Sequence, residues 1–267
     1  MIIMEAKVTE LRLIEVPWET RNLGLPAFQL MGKIDNHVVI KSLIEKKSIQ
    51  LNKNFFVQLK IDAEKINEVI YSQEAGFILV EMTISPYLDL NLVKSKIAGG
   101  SLQPLYSRES TYKKNIKNYY CAVDDLQDSI KKEIIDISKK TFSTDRFHMD
   151  PYCKNSIANE RMGLWLECDL FKDSKNFCSY LMTNKSLIGY MIWNQNGFIL
   201  GGLAKEFIGK GLGKVVYIQS ILDVIDAGFE EISTNISVNN VPVLNLYSKL
   251  DFSFRKPLYT LHYWSRS

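Results

Sequence analysis

This sequence predicts a mixed α/β (α+β) architecture, a sheet with helices packed against it, and three observations carry the prediction. Strand-like and helix-like stretches alternate through about residues 1–105. In the second half, three strand candidates separated by hairpin turns run into a glycine-rich loop and a long apolar helix. Hydrophobic residues are 46% and charged residues 24% of the 267, the balance of a chain able to bury a core.

The elements of the first half follow from local patterns. Leu11 to Val16 and Ala27 to Ile34 read as strands, and His37 to Lys47 has helical spacing, with Val38, Leu43 and Ile44 apolar and lysines between them. Phe55 to Ile61 is rich in β-branched and aromatic residues and reads as a strand ending at Asp62. That aspartate suits the N-cap of a helix over Ala63 to Ala75, whose apolar positions Ile66, Val69 and Ile70 recur at three and four. Gly76 suits its C-terminus, and Phe77 to Tyr87 returns as a strand. Turn-formers Ala98-Gly99-Gly100-Ser101 and Pro104, with Lys113, Lys114 and Lys117 nearby, mark either a linker or a tight turn within one sheet.

The second half opens with a strand at Tyr119 to Val123. A helix over about Asp125 to Lys139 follows, with Leu126, Ile130, Ile134 and Ile137 on one face. Ser143 to Tyr152 reads as a loop and Ser156 to Asp169 as a helix. Phe177 to Thr183, Leu187 to Trp193 and Phe198 to Leu203 are strands, separated by turns at Lys185-Ser186 and Asn194 to Gly197. A helix from Gly213 to Ala227, a strand from Glu231 to Val238, a helix over about Pro242 to Leu250 and a strand pair (Phe252 to Phe254, Tyr259 to Trp264) complete the chain.

Several function classes are disfavoured. A net charge of +3 from 33 basic and 30 acidic residues is too mild for a phosphate-neutralising surface, so no nucleic-acid partner is expected. No apolar run approaches the roughly 18–20 residues that span a bilayer, so no membrane partner is expected. Met1 to Glu10 carries charges where an export signal needs an apolar stretch. Cys121, Cys153, Cys168 and Cys178 form no C-x-x-C pair, and His37, His148 and His262 lie far apart, so no metal site is expected. Reduced thiols in a cytoplasmic protein are the plain reading.

The chemistry-bearing stretch is Leu203-Ala204-Lys205-Glu206-Phe207-Ile208-Gly209-Lys210-Gly211-Leu212-Gly213-Lys214. Three alternate glycines between a strand and a helix let several main-chain N–H groups face one anion. The helix start adds its positive end, and Lys210 and Lys214 add formal charge, so a pyrophosphate fits. The loop lacks the Gly-Lys-Ser/Thr ending of a P-loop and the third-glycine spacing of the dinucleotide fingerprint. A tight strand-to-helix turn without a ligand is the competing reading. Further on, Asn240 stands at a helix entrance and Tyr247 about two turns in. An N-cap and a core aromatic are their plain explanations.

From Leu203 to Phe252 the chain resembles the acetyl-CoA-binding core of the GNAT (Gcn5-related) N-acetyltransferases. Gly211 and Gly213 match that family's Arg/Gln-x-x-Gly-x-Gly/Ala loop, and Asn240, Leu246, Tyr247 and Phe252 match its Asn-x-x-Ala-x-x-Leu-Tyr…Gly-Phe segment. The departures are Ile208 for Arg or Gln, Val243 for Ala and Asp251 for Gly. Pro17-Trp18-Glu19-Thr20, Asn22 to Pro26, Ser143 to Pro151 and Trp165 are similar to segments of the TDP-fucosamine acetyltransferases. The resemblance implies a mixed, mostly antiparallel GNAT-type sheet flanked by helices. A degenerate GNAT-like half-domain would take residues 1–105, and an acetyl-CoA-binding catalytic domain residues 119–267. Within the chain, Glu68 to Phe77 reads like the second motif, with Ser72 where Tyr247 stands and no triple-glycine loop before it. The N-terminal half is therefore expected to be catalytically silent, walling one side of an acceptor cleft.

What the resemblance implies about function is N-acetyl transfer from acetyl-CoA to a small-molecule amine, such as a nucleotide-linked amino sugar. A peptide, lysine or polyamine acceptor, or CoA binding without turnover, are the alternatives. Tyr247 would be the general acid for the departing thiolate. Leu203, Ile208, Gly209, Lys210, Gly211, Leu212, Gly213, Lys214 and Asn240 would hold the coenzyme. Arg146, His148 and Asp150 fall in the segment placed beside the acceptor, with Glu167 a further base candidate. Arg146 suits a phosphate through its planar fork, or an ion pair with Asp145 or Asp150. His148 is either a base or a loop histidine bonded to a carbonyl. Trp18, Tyr152 and Trp165 can stack on an acceptor or pack in the core. A homodimer is compatible with all of this.

Overall fold

Apolar-polar alternation sets the strands, and the computed structural model, which describes residues 10–100 and 116–265, joins them into one sheet. In chain order come β1 (Arg12–Glu15), α1 (Pro17–Leu23), β2 (Ala27–Met31), α2 (His37–Leu51), β3 (Phe56–Asp62), α3 (Ile66–Glu74), β4 (Ile78–Asp89) and α4 (Leu90–Ala98). The second part holds β5 (Lys117–Ala122), α5 (Asp128–Thr141), α6 (Asn155–Cys168), β6 (Phe177–Met182), β7 (Leu187–Asn194) and β8 (Gly197–Leu203). It continues with α7 (Leu212–Asp226), β9 (Glu231–Ser233), β10 (Ile236–Ser237), α8 (Val241–Lys249) and β11 (Ser253–Trp264). Ser101, Pro104, Lys113 and Lys114, at the expected join, lie outside the described residues.

The strand order is β1-β2-β3-β11-β4-β9-β8-β7-β6-β5, with β10 pairing β4. Two contacts are parallel, β2 with β3 and β8 with β9; the other strand contacts are antiparallel. At the centre the two halves exchange strands. The C-terminal strand β11 lies between β3 and β4, while β4 lies between β11 and β9. Units β3-α3-β4 and β9-β10-α8-β11 thereby take mirrored places in the strand order, on either side of the β11–β4 contact.

The two helix exits share one hydrogen bond and one backbone turn. Phe77 N–H donates to Ser72 C=O at 3.0 Å, and Phe252 N–H donates to Tyr247 C=O at 3.2 Å. Gly76 has φ +96° and Asp251 φ +69°, so both exits turn through left-handed backbone. Aspartate is among the residues that tolerate this conformation, which accounts for its standing in place of glycine. Its carboxylate also pairs with Lys96 of α4.

Four expected boundaries differ. Asp62 does not cap α3 with its side chain; Lys65 N–H donates to Asp62 C=O at 2.9 Å, and a turn delays the helix to Ile66. Beyond β4 an unexpected helix, α4, begins where the Asp89 carboxylate accepts from Asn91 and Leu92 N–H at 2.9 and 3.1 Å. The expected strand Glu231 to Val238 is split into β9 and β10. The expected final strand pair is one strand, β11, kinked where Lys256 takes φ +49° and the register with β4 shifts between Arg255 and Leu258.

Apolar side chains of both faces are buried. Leu88, Leu90 and Val93 of the first half share a core with Trp193, Val216, Ile221, Tyr247 and Phe252 of the second. Ile130, Ile134, Met162 and Leu166 of α5 and α6 pack on Tyr190 and Ile192, and Ile40, Ile44 and Val69 of α2 and α3 pack on Leu59, Ile61 and Leu261. All four thiols are free. Among the described residues no helix is long and apolar enough to cross a membrane.

Candidate functional site

The site begins where two parallel strands part. β8 and β9 are paired at Gly197 and Ser233 alone. A Cβ on Gly197 would lie 2.2 Å from Ser233 O and 2.4 Å from Ser233 N, and φ there is +111°, so glycine alone lets the strands touch. From Phe198 to Leu203, β8 is bonded to β7 on one side and, among the described residues, leaves its other edge without a strand. The opposite arm turns away onto β4: Thr234 N–H donates to Pro86 C=O at 3.1 Å and Val238 N–H to Met82 C=O at 2.9 Å. The result is a wedge with free main-chain groups along one wall.

The glycine loop lies at the end of that wall. Lys205–Phe207 form one turn of 3₁₀ helix, and Gly209 and Gly211 both take φ +77°, which explains those two glycines by backbone alone. Ile208 N–H donates to Lys205 C=O at 3.3 Å and Lys210 N–H to Phe207 C=O at 3.4 Å. The amides of Gly209, Gly211, Leu212, Gly213 and Lys214 have no acceptor among the described residues, as expected of a helix start lacking a side-chain cap.

Gly213 is more telling. Its φ lies outside the left-handed range, and a Cβ there would meet nothing within 4 Å. Neither backbone nor packing calls for glycine, although glycine in a helix costs about 0.8–1 kcal/mol against alanine. Space kept open beside free N–H groups at a positive helix end fits a diphosphate. Lys210 Nζ stands 5.6 Å from the Phe207 ring centre, and neither Lys210 nor Lys214 is ion-paired among the described residues. Ile208 is exposed, and its aliphatic side chain adds no charge to the loop.

Tyr247 of α8 is buried, edge-on to Tyr217 of α7 at 5.2 Å and to Phe252 at 4.7 Å. Burial, with the Tyr217 phenol beside it, pushes its phenol well above the usual 10, while a hydrogen bond with Thr234 partly opposes this. Thr234 follows β9 on the far arm of the wedge, which ties Tyr247 to that opening. Asn240 stands at the α8 entrance without capping it; its C=O accepts from Val243 and Leu244 N–H at 3.1 and 3.0 Å.

The residues expected beside the acceptor are largely committed to one another. Arg146 pairs with neither Asp145 nor Asp150: its Nη2 donates to Glu19 Oε1 at 2.5 Å. Arg161 of α6 grips the same carboxylate through Nε at 2.8 Å and Nη2 at 2.5 Å. Burial pushes Glu19 up, but Arg161 and Arg146 together outweigh it and hold the carboxyl below 4.5. His148 bonds Asp145 through Nδ1 and Asn159 through Nε2, the latter at 2.8 Å, rather than a backbone carbonyl. Burial alone would lower His148, and those two partners raise it above 6.5.

Asp150 Oδ2 accepts from His262 Nδ1 and Trp264 Nε1, both at 2.7 Å. Burial drives His262 down to about 4, so it is neutral near pH 7. Glu167 is exposed on α6, Trp165 is half-buried against α5, and Trp18 and Tyr152 are exposed.

Two ionisable residues of the first half escape the sequence reading. Lys60 of β3 is solvent-accessible yet set among enough protein that desolvation pulls it down to about 8, with Arg146 adding to the effect. Glu81 of β4 is nearly covered, and burial lifts it to about 7. The available signal is modest: Gln58 and Lys60 interrupt an otherwise apolar strand at alternate positions.

The sequence matches no family model and no curated protein. Solved structures do match. A functionally unknown conserved protein from Staphylococcus epidermidis is 12% identical with a TM-score of 0.64, over 98% of this chain and 95% of that one. A GCN5-related N-acetyltransferase from Sphaerobacter thermophilus is 9% identical, TM-score 0.60, over 96% and 76%. A tandem GNAT protein from the clavulanic acid biosynthesis pathway is 10% identical, TM-score 0.57, over 91% and 77%. At such identities it is the fold that carries across: this chain has the fold of the GCN5-related N-acetyltransferases, with a mostly antiparallel sheet flanked by helices.

Proposed function

We propose that the protein transfers an acetyl group from acetyl-CoA to a small primary amine, a class that includes nucleotide-linked amino sugars. The observation that carries this reading is the run of unengaged amides at Gly209 and Gly211 to Lys214, set at the end of the free β8 edge. Acetyl-CoA supplies an acyl group already activated as a thioester. The loop amides hold its diphosphate, helped by Lys210 and Lys214 and by the positive end of α7. Main-chain groups from Phe198 to Leu203 accept and donate along the pantetheine arm, and Asn240 contacts that arm from α8.

Tyr247 acts on the sulfur side. Held above 10, its phenol stays protonated through the physiological range. A thiol has a pKa near 8.5, so this phenol is the weaker acid of the two. It therefore stabilises charge building on sulfur chiefly by donating a hydrogen bond.

Calorimetry with acetyl-CoA tests the reading, and absence of both heat and thermal shift overturns it. Tyr247→Phe is expected to lower kcat by about 10²-fold, the order found on removing one hydrogen-bond donor to developing charge, while acetyl-CoA affinity holds. Full turnover by that variant removes the Tyr247 assignment. Stoichiometric binding with no turnover across a panel of amines leaves a CoA-binding module.

A further inference from the structure

The centre of the exchanged sheet carries a polar strip that the coenzyme site does not use. In register, Gln58 opposes Gln29 on one side and His262 on the other, and Thr260 lies between Lys60 and Glu81. Side chains directly opposite share a face, so these residues form one surface, with Leu59, Ile61 and Leu261 on the other face against α2 and α3. Lys60 and Glu81 stand two strands apart, about 10 Å between backbones at ~4.8 Å per strand.

The strip adjoins the wedge. Glu81 takes a hydrogen bond from Ser237 of β10, the arm that parts from β8. The loop bearing Asp145, Arg146 and Asp150 covers the strip's other end, where Asp150 bonds His262. Charged groups facing Glu81 are Arg146, Asp145 and Lys60. Lys60 has no ion pair or hydrogen bond among the described residues, and its side chain reaches solvent on this face. An accessible ammonium with no partner in the chain is open to an anion from solution.

We propose that this strip is the acceptor subsite, that Glu81 takes the proton of the incoming ammonium, and that Lys60 holds an oxyanion, carboxylate or phosphate, of the same acceptor. The proposal deepens the acetyl-transfer reading and rests on it, and it gives the half expected to be silent a direct part in the chemistry. One proton passes from the ammonium to the Glu81 carboxylate and then to solvent. The neutral nitrogen forms a bond to the thioester carbon, and the C–S bond breaks with its electron pair going to sulfur. The second nitrogen proton is lost as the amide forms, and one proton goes to the sulfur past Tyr247, giving amide, thiol and one released proton. A carboxylate lifted to about 7 is poised for the first transfer near neutral pH.

The test uses matched amines with acetyl-CoA, read by mass spectrometry of the product. The pairs are O-phosphoethanolamine with ethanolamine, glucosamine 6-phosphate with glucosamine, and β-alanine with propylamine. The anionic member of a pair is expected to exceed its neutral partner at least tenfold in kcat/KM, and the phosphate and carboxylate arms distinguish the two oxyanions. Lys60→Gln is expected to erase that preference by raising KM about tenfold with kcat held. Glu81→Gln is expected to lower kcat/KM about 10²-fold, to remove the acid limb near pH 7 and to recover partly at pH 9.

Acetyl-CoA binding by each variant serves as the control for folding. With that binding intact, the proposal is overturned if neutral amines do as well, if no amine is acetylated, or if either variant behaves as the unaltered protein. Failure of the unaltered protein to bind acetyl-CoA overturns the acetyl-transfer reading itself, and this assignment with it.

Discussion

Glu19 and Glu81 are both buried carboxylates, and the difference between them is a partner. Two guanidiniums hold Glu19 in its ionised form, below 4.5. Its contribution to stability is complete above 4.5 and is lost as pH falls through the lower folded value. Glu19→Gln leaves Arg146 and Arg161 without a counter-charge, and about 3 kcal/mol or more of unfolding free energy should disappear at pH 7 in urea denaturation. Glu81 has the opposite sign. Its folded value lies above the ordinary 4.5, at about 7, so the folded state is penalised increasingly as pH rises from 4.5 to 7.

At about 1.4 kcal/mol per pH unit, that interval amounts to roughly 3 kcal/mol. Glu81→Gln should therefore stabilise the fold at pH 8 by an amount of that order and have little effect at pH 4, measured by denaturation at both. A stabilising substitution that slows the reaction is the mark of a functional residue. Neither carboxylate is conspicuous in sequence, because a lone Glu in a strand looks like a solvated one until its neighbours are known. Arg146 shows the same limit: its fork was readable, but its partner lies 127 residues away.

Elements were more legible than contacts. The strands from Phe177 to Leu203 and the helices after the glycine loop and after Asn240 appear where spacing and turn residues place them, because each is specified within its own ten or so residues. The breaks in β9–β10 and β11 were not legible, since both arise from strands borrowed across the sheet. Gly197 illustrates the difference. In sequence it ends a hairpin turn; in space it is also the point at which β8 and β9 touch before parting. Gly197→Val should destabilise by several kcal/mol in thermal or urea unfolding, because its Cβ meets Ser233 main chain rather than a movable side chain. Valine tolerated there without loss of stability would remove this account of the wedge's vertex.

On the scale of the whole molecule, two similar units share a sheet but, among the described residues, only one opens its parallel strand pair beside a helix start with free amides. In the first half, β2 and β3 stay paired over three residues, and the Asn36 side chain caps α2 by accepting from Val39 N–H at 3.1 Å. The seam is closed and that helix start is occupied. In the second half, β8 and β9 part after one pair, and α7 starts with free amides. The sequence differs at the same place, since the first half has no triple-glycine loop. It also showed the internal repeat, through Gly76-Phe77 and Asp251-Phe252. The exchange of β4 and β11 was beyond it, since strand order depends on pairing between distant segments with no local signal.

Titration calorimetry of acetyl-CoA into the unaltered chain and into Gly213→Val tests the cradle most directly. We predict one site per chain in the former. The variant should keep its melting temperature within about 2 °C, since valine is no worse than glycine in a helix and has open space, yet bind at least tenfold more weakly. Two sites per chain, no binding, or an affinity untouched by the valine would contradict it.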